Sequence, residues 1–309
     1  MIRKGWMVVG PTAAGKTEVV HELARAWGTW ILSADSMLVY RGMDVGTAKP
    51  TRRQREEIRY EGVDVAEPDE SFSLSRYLDH VRSLPADLWA TPPIVAGGTG
   101  LYVSGLLRGL KEQAPPDVEY RTMLRGVVEE KGVAGLQALC REQAPGVLES
   151  LADGSNPRRL MRAMEQARAG TEPDRSWREM KELAPVAGLD RSREDLGRRI
   201  EARARRMFEE GLVEEARGLR ERYPHWSETA GQAIGYREAL GMLEGRLTEA
   251  EAFAEVVRRT RQLAKRQRTW FRHQVAVEWI LAGEADATFT TVKQLEECLL
   301  HHDCHVLDL

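Results

Sequence analysis

The chain has 309 residues, 42% hydrophobic and 30% charged, with a formal net charge of −3. That length buries a sizeable core without covalent staples, and three scattered cysteines (Cys140, Cys298, Cys304) make no disulfide framework. No run of about 18 apolar residues exists, which excludes a transmembrane helix, and residues 1–9 lack the apolar core of a secretory signal, so a cytoplasmic location is expected.

Trp6-Met7-Val8-Val9 predicts a short strand that stops at Gly10. Residues 16–27 have helical spacing, with Val19, Val20, Leu23, Ala24 and Trp27 on one face and Gly28 as the stop. Trp30-Ile31-Leu32 predicts a second strand ending at Ser33-Ala34-Asp35-Ser36, and Pro93-Ile94-Val95-Ala96 a third ending at Gly97-Gly98-Thr99-Gly100. Strands alternating with helices imply an α/β fold, a P-loop-type parallel sheet flanked by helices, with ligands at the carboxyl ends of the strands. Ala114-Pro115-Pro116-Asp117 marks a boundary. A mainly helical insertion is expected over 117–184, inside a core of 1–116 and 185–309. Within it, Asn156-Pro157 reads as an N-cap followed by proline at the first helical position. Beyond Ala184-Pro185 come amphipathic helices at 193–210, 212–222, 232–244 and 248–272, then a final strand over 275–280.

Gly10-Pro11-Thr12-Ala13-Ala14-Gly15-Lys16-Thr17 satisfies G-x-x-x-x-G-K-[ST], with the required strand before and helix after. Such a loop turns successive backbone amides toward phosphate oxygens, and the helix behind it adds its positive end. Lys16 supplies a full charge, and the Thr17 hydroxyl is a candidate Mg²⁺ ligand. The cradle alone does not choose among a kinase, an NTPase and a diphosphate-releasing transferase. Asp35, 18 residues after Thr17 at a predicted strand end, can bind metal or accept a proton. No Asp or Glu follows Val95 where a Walker-B carboxylate would stand, which weakens the NTPase reading.

Several segments closely resemble the tRNA dimethylallyltransferase (tRNA isopentenyltransferase) family. In order they are residues 10–17, 33–36, 40–50 and 97–102, then Asn156-Pro157-Arg158-Arg159-Leu160, Arg199-Ile200-Glu201-Ala202-Arg203, residues 233–237 and residues 261–267. Two departures are Ala14 where serine is common and Leu38 where glutamine is frequent. The resemblance implies transfer of a dimethylallyl group from dimethylallyl diphosphate to the exocyclic amine of the adenosine 3′ of a tRNA anticodon, with diphosphate leaving. It implies a diphosphate site of Gly10, Thr12, Ala13, Ala14, Gly15, Lys16, Thr17, Arg199 and Arg203, with Mg²⁺ on Thr17. It implies Asp35 as general base, helped by Thr99 and Lys16. RNA contacts are implied for Asp35, Ser36, Met37, Leu38, Thr99, Arg121, Gln232, Tyr236 and Arg237. The expected partners are a tRNA anticodon stem-loop and the allylic diphosphate; no membrane and no second subunit is expected.

The charge distribution has its own signal. Residues 191–272 hold 19 Lys and Arg against 14 Asp and Glu, leaving −8 on the remainder. Residues 258–272 contain Arg258, Arg259, Arg261, Lys265, Arg266, Arg268 and Arg272 with no acidic residue. Val256, Thr260, Leu263, Ala264 and Trp270 mark the expected buried stripe, so seven cations are expected on a phosphate-binding face. Arg158, Arg159 and Arg162 of the insertion are expected to grip the other side of the anticodon arm. The target base must leave its stack to reach Asp35, so a channel is expected, with diphosphate entering one end and base the other. Cys298, His301, His302, Cys304 and His305 cluster near the end of the chain. Without a second well-spaced pair, fortuitous clustering is favoured there over a zinc site. Three other readings stay open: a P-loop small-molecule kinase, a prenyltransferase of free adenine nucleotides, and an RNA-binding module with a vestigial P-loop.

Overall fold

A computed structural model describes residues 3–110, 117–151, 153–171, 185–283, 288–302 and 304–309. Its apolar runs form β1 (Lys4–Val9), β2 (Ile31–Ser33), β3 (Tyr60–Glu61), β4 (Ile94–Gly97), β5 (Val186–Asp190), β6 (Val277–Leu281) and β7 (His305–Val306). These make one sheet in the order β3-β2-β4-β1-β5-β6, all parallel, with β7 antiparallel to the start of β1. Trp6 lies opposite Ile94, and Val8 lies opposite Ala187. Met7, Val8 and Val9 are fully enclosed, as expected of parallel strands covered on both faces.

The helices are α1 (Lys16–Trp27), α2 (Arg52–Glu57), α3 (Leu74–Ser83) and α4 (Gly100–Arg108); α5 (Val118–Gln143), α6 (Val147–Ser150) and α7 (Pro157–Arg168); and α8 (Arg193–Glu209), α9 (Leu212–Arg222), α10 (Tyr236–Leu243), α11 (Glu249–Gln274) and α12 (Thr288–His302). On one face of the sheet, Val19, Val20 and Leu23 of α1 join Ile31, Ile94 and Leu189, and Leu295 and Leu299 of α12 complete that core. A second core holds Leu196, Ile200 and Ala204 of α8 against Val256, Val257 and Ala264 of α11.

Helix α1 spans the predicted residues and stops at Gly28, which takes φ 61°. Strand β5 was not anticipated. Its five residues follow Pro185, where the chain reads as a boundary, and all five are buried. Of the expected stripe on α11, Val256 and Ala264 are buried, but Val257 and Phe271 complete it instead of Thr260, Leu263 and Trp270.

The chain divides into two compact units, Met1–Gly109 with Trp177–Leu309, and Leu110–Ser176. The smaller unit contains α5, broken at Gly132 (φ 64°), with α6 and α7, around Tyr120, Leu124, Leu136, Cys140, Leu160 and Met164. Asn156 caps α7 by accepting from the amides of Arg158 (3.1 Å) and Arg159 (3.3 Å), with Pro157 at the first helical position. Among the described residues no helix is long and apolar enough to cross a membrane.

Candidate active site

The loop between β1 and α1 is shaped by backbone that few residues tolerate. Gly10 has φ 150°, and a Cβ there would collide with the Leu189 carbonyl of β5. Ala13 (φ 63°) and Gly15 (φ 94°) turn the chain twice more before α1 starts. Alternation of this kind lines amides around an anion. Lys16 Nζ folds over the loop and donates to the carbonyls of Gly10 (2.9 Å) and Pro11 (2.8 Å). Burial pushes its amine down to about 8; Asp35 and Asp190 oppose the shift and Arg203 adds to it. The amine is therefore a cation below about pH 8 and loses its charge above. The Kd for inorganic pyrophosphate, measured by calorimetry, is expected to weaken by about tenfold between pH 7 and pH 9, roughly the value of one lost charge-assisted contact.

Arginines brace the loop from outside. Arg199 Nε donates to the Ala13 carbonyl (3.0 Å), and Arg191 Nε to that of Ala14 (2.8 Å). Arg203 donates to Thr12 Oγ1 (3.3 Å) and to the Thr47 carbonyl (2.8 Å). Burial lowers the Arg203 pKa while Asp35 opposes the shift. Its Nε is buried and has no hydrogen-bond partner among the described residues, a donor left over for an anion. Gln267 of α11 joins the loop to the next strand end, accepting from the Thr12 amide (2.8 Å) and donating to the Gly98 carbonyl (3.0 Å). Neither Arg191 nor Gln267 was singled out from sequence. Arg191 follows the unrecognised β5, and Gln267 lies in the basic segment, where charge drew the reading.

Asp35 follows β2 directly. Its Oδ1 accepts from the Met37 amide (2.9 Å), closing a tight turn, and the side chain stays half-buried, as do Ser36, Met37 and Leu38. Thr99, after β4, accepts from the Ser36 amide (2.9 Å) and donates to Ser36 Oγ (3.2 Å). Gly97 permits this approach, because a Cβ there would run into the backbone of Ala34. Asp35 acts electrostatically on both Lys16 and Arg203. The carboxylate and the phosphate cradle thus share one field at the carboxyl ends of β1, β2 and β4.

A second carboxylate escaped the sequence reading. Asp190 ends β5, beside β1, and is buried. Its Oδ1 accepts from the Arg191 amide (2.8 Å) and from Arg268 Nε (2.9 Å) and Nη2 (2.6 Å). No carboxylate follows β4, and the acidic strand end is on β5, on the other side of β1. Thr17 is exposed in the first turn of α1. Its hydroxyl and the Asp35 carboxylate are hard oxygen donors, which suit Mg²⁺.

The cations of α11 do not form one open face. Arg258 pairs with Glu255 (2.5 Å), Arg259 with the buried Glu238, Arg261 with Glu201, and Arg268 with Asp190. Lys265, Arg266 and Arg272 are exposed; Arg272 lies 4.0 Å from Asp190, and Lys265 and Arg266 form no ion pair among the described residues. This corrects the expectation of seven free cations: the carboxylates missing from 258–272 come from neighbouring helices, from β5 and from the preceding turn. Gln232 and Arg237 are exposed. Tyr236 is fully buried, accepts from the Gly46 amide (3.2 Å) and donates to Glu215, which also receives the amides of Asp44 and Val45. It holds the 44–47 segment in place. In the smaller unit, Arg121 (2.5 Å) and Arg162 (3.2 Å) converge on buried Glu165, while Arg158 and Arg159 are exposed.

A family model described as IPP transferase matches residues 38–274. The chain is 40% identical over 272 residues to the tRNA dimethylallyltransferase of Thermus thermophilus, across 87% of this chain and 89% of that protein. It is 36% identical over 303 residues to the tRNA dimethylallyltransferase of Geobacillus kaustophilus, across 96% of each. Its fold is similar to the crystal structure of a tRNA isopentenylpyrophosphate transferase from Bacillus halodurans, with TM-score 0.68 and 33% identity, covering 96% of this chain and 95% of that one.

Proposed function

The chain belongs to the IPP transferase family and transfers a dimethylallyl group to tRNA, and from that premise we propose how its residues divide the work. The donor is dimethylallyl diphosphate, and the acceptor is the exocyclic amine of the adenosine 3′ of the anticodon. The observation that carries this reading is that the glycine loop after β1, bonded by Lys16 and Arg203, stands at the same sheet edge as Asp35 after β2 and Thr99 after β4. The allylic C–O bond breaks, and negative charge grows on the departing diphosphate. The loop amides, Lys16, Arg199 and Arg203 are arranged to stabilise that charge where it develops. As the C–N bond forms, Asp35 takes a proton from the amine, and its turn with Met37 holds the carboxylate in one orientation. Thr99 fixes Ser36 and so the loop that carries the base. The Thr17 hydroxyl would hold Mg²⁺, which when bound would supply further charge stabilisation for the leaving group. The extruded base reaches Asp35 through a channel whose other end admits the diphosphate.

Unmodified tRNA incubated with the protein, Mg²⁺ and labelled dimethylallyl diphosphate is expected to gain label. No label in RNA with folded protein overturns the proposal. Label in AMP but not tRNA favours the free-nucleotide alternative, and phosphate transfer from ATP favours a kinase.

Lys265 and Arg266 on α11, which form no ion pair among the described residues, contact RNA phosphates in this reading, and the exposed Arg158 and Arg159 of α7 do so as well. The double variant Lys265→Ala/Arg266→Ala is expected to weaken tRNA binding and to flatten the plot of log K against log salt by about 1.5–2 units. Filter binding across a salt series reads that slope. The free cysteines Cys140, Cys298 and Cys304 fit a reducing cytoplasm, where the chain acts as a monomer.

A further inference from the structure

The structure adds a third residue, from β6, to the Cys298 and His302 pair of α12. Cys298 and His302 occupy one face of α12, four residues apart. Glu278 of the edge strand β6 projects to the same place: its carboxylate bonds His302 Nε2. The ligand atoms of Glu278, Cys298 and His302 all lie within 4.8 Å of one another. Cys298 is buried, His302 half-buried and Glu278 exposed. Beside them opens a cleft of about 570 Å³ lined by Glu278, Cys298, His301, Gln294 and Glu297. The cluster uses none of the residues assigned to the transfer reaction.

We propose that Glu278, Cys298 and His302 form a Zn²⁺ site that fastens α12 to β6. One thiolate, one imidazole nitrogen and one carboxylate oxygen make a mixed donor set that suits this ion and suits Mg²⁺ poorly. Three protein ligands leave one tetrahedral position, which water from the adjoining cleft fills. When the Zn–S bond forms, the Cys298 thiol releases its proton to solvent. His302 and Glu278 exchange their mutual hydrogen bond for the metal, the Nε2 proton passing through solvent to Nδ1 so that the imidazole ligates as the neutral ring. The i, i+4 pair supplies only two ligands. The third ligand comes from a different element about 20 residues earlier, and only the packing of α12 against β6 unites them.

The test uses the full chain, freed of metal by chelation and titrated with ZnCl₂ in excess Mg²⁺. Calorimetry is expected to give one Zn²⁺ per chain. Glu278→Gln and Cys298→Ser are each expected to weaken binding by at least about 10–100-fold, the loss that even an outer partner of a ligand brings. Cys304→Ser is expected to bind as the parent does. Co²⁺ in place of Zn²⁺ is expected to give a thiolate charge-transfer band that disappears in Cys298→Ser. Absence of stoichiometric binding, or equal binding by Glu278→Gln, overturns the site. So does loss of binding in Cys304→Ser. Glu278 is exposed, so its variant decides the matter even if Cys298→Ser fails to fold.

Discussion

Asp35→Asn is expected to lower kcat for dimethylallyl transfer by about 10²–10⁴-fold, the usual worth of a positioned general base, while tRNA affinity stays near that of the parent. The amide keeps an oxygen at Oδ1, so the Met37 amide retains its partner and the turn after β2 stays closed. What is lost is the acceptor for the amine proton. The substitution also removes a charge that raises the Lys16 pKa against burial, so the amine sheds its proton at lower pH in the variant. Single-turnover rates are therefore best compared at the lowest pH at which both proteins stay folded, where lost charge at Lys16 contributes least to the difference. An unchanged rate under those conditions would falsify the assignment of Asp35 as base. A matched loss of rate and tRNA affinity would point to a binding role instead.

Arg268→Ala is expected to destabilise the protein by about 3–5 kcal/mol, the cost of removing one partner from a buried ion pair. Arg268 makes two bonds to Asp190 and a third to the Arg191 carbonyl (2.6 Å). Without it the buried carboxylate at the end of β5 keeps the Arg191 amide (2.8 Å) and, at 4.0 Å, the exposed Arg272. Lys265→Ala, one turn away on the exposed side of α11, is expected to change stability by no more than about 0.5 kcal/mol. Urea denaturation of the two variants separates these outcomes. Equal midpoints would show that Arg268 is not needed to neutralise Asp190. The contrast matters because both positions look alike in the sequence, as cations in a run without carboxylates.

Local signals carried the reading as far as they reach. The glycine loop, α1 with its Gly28 stop, the Asn156 cap and the strand ends at Ser33 and Gly97 are all written within a few neighbouring residues. Each of them forms at the expected place. Strand β5 was missed because five apolar residues beside a proline fit a boundary as well as a strand. Only pairing with β1 and β6 decides between them. The residues missed at the site share that cause. Asp190 and Arg191 depend on β5, and Gln267 matters only because α11 passes between two loops more than 150 residues upstream. Charge pairing across elements is equally invisible along the chain. Glu201, Glu238 and Asp190 neutralise three arginines of α11 from outside its sequence. The reading of Tyr236 from the family segment could not tell a ring that meets substrate from one that anchors the segment at 44–47.

The strand order also sets a timetable for biosynthesis. β1 sits between β4 and β5, yet β5 lies about 180 residues further along the chain. At about 5–20 residues per second, the nascent β1 waits on the order of 10–40 s with that flank unpaired. An apolar strand with an open edge is a template for wrong partners. The helices of residues 118–168 have their own hydrophobic centre, so they can collapse as they leave the ribosome, while the phosphate loop, whose Gly10 rests against Leu189, settles only after the sheet closes. Slowing translation between these two points is expected to lengthen that vulnerable interval and to lower the soluble yield.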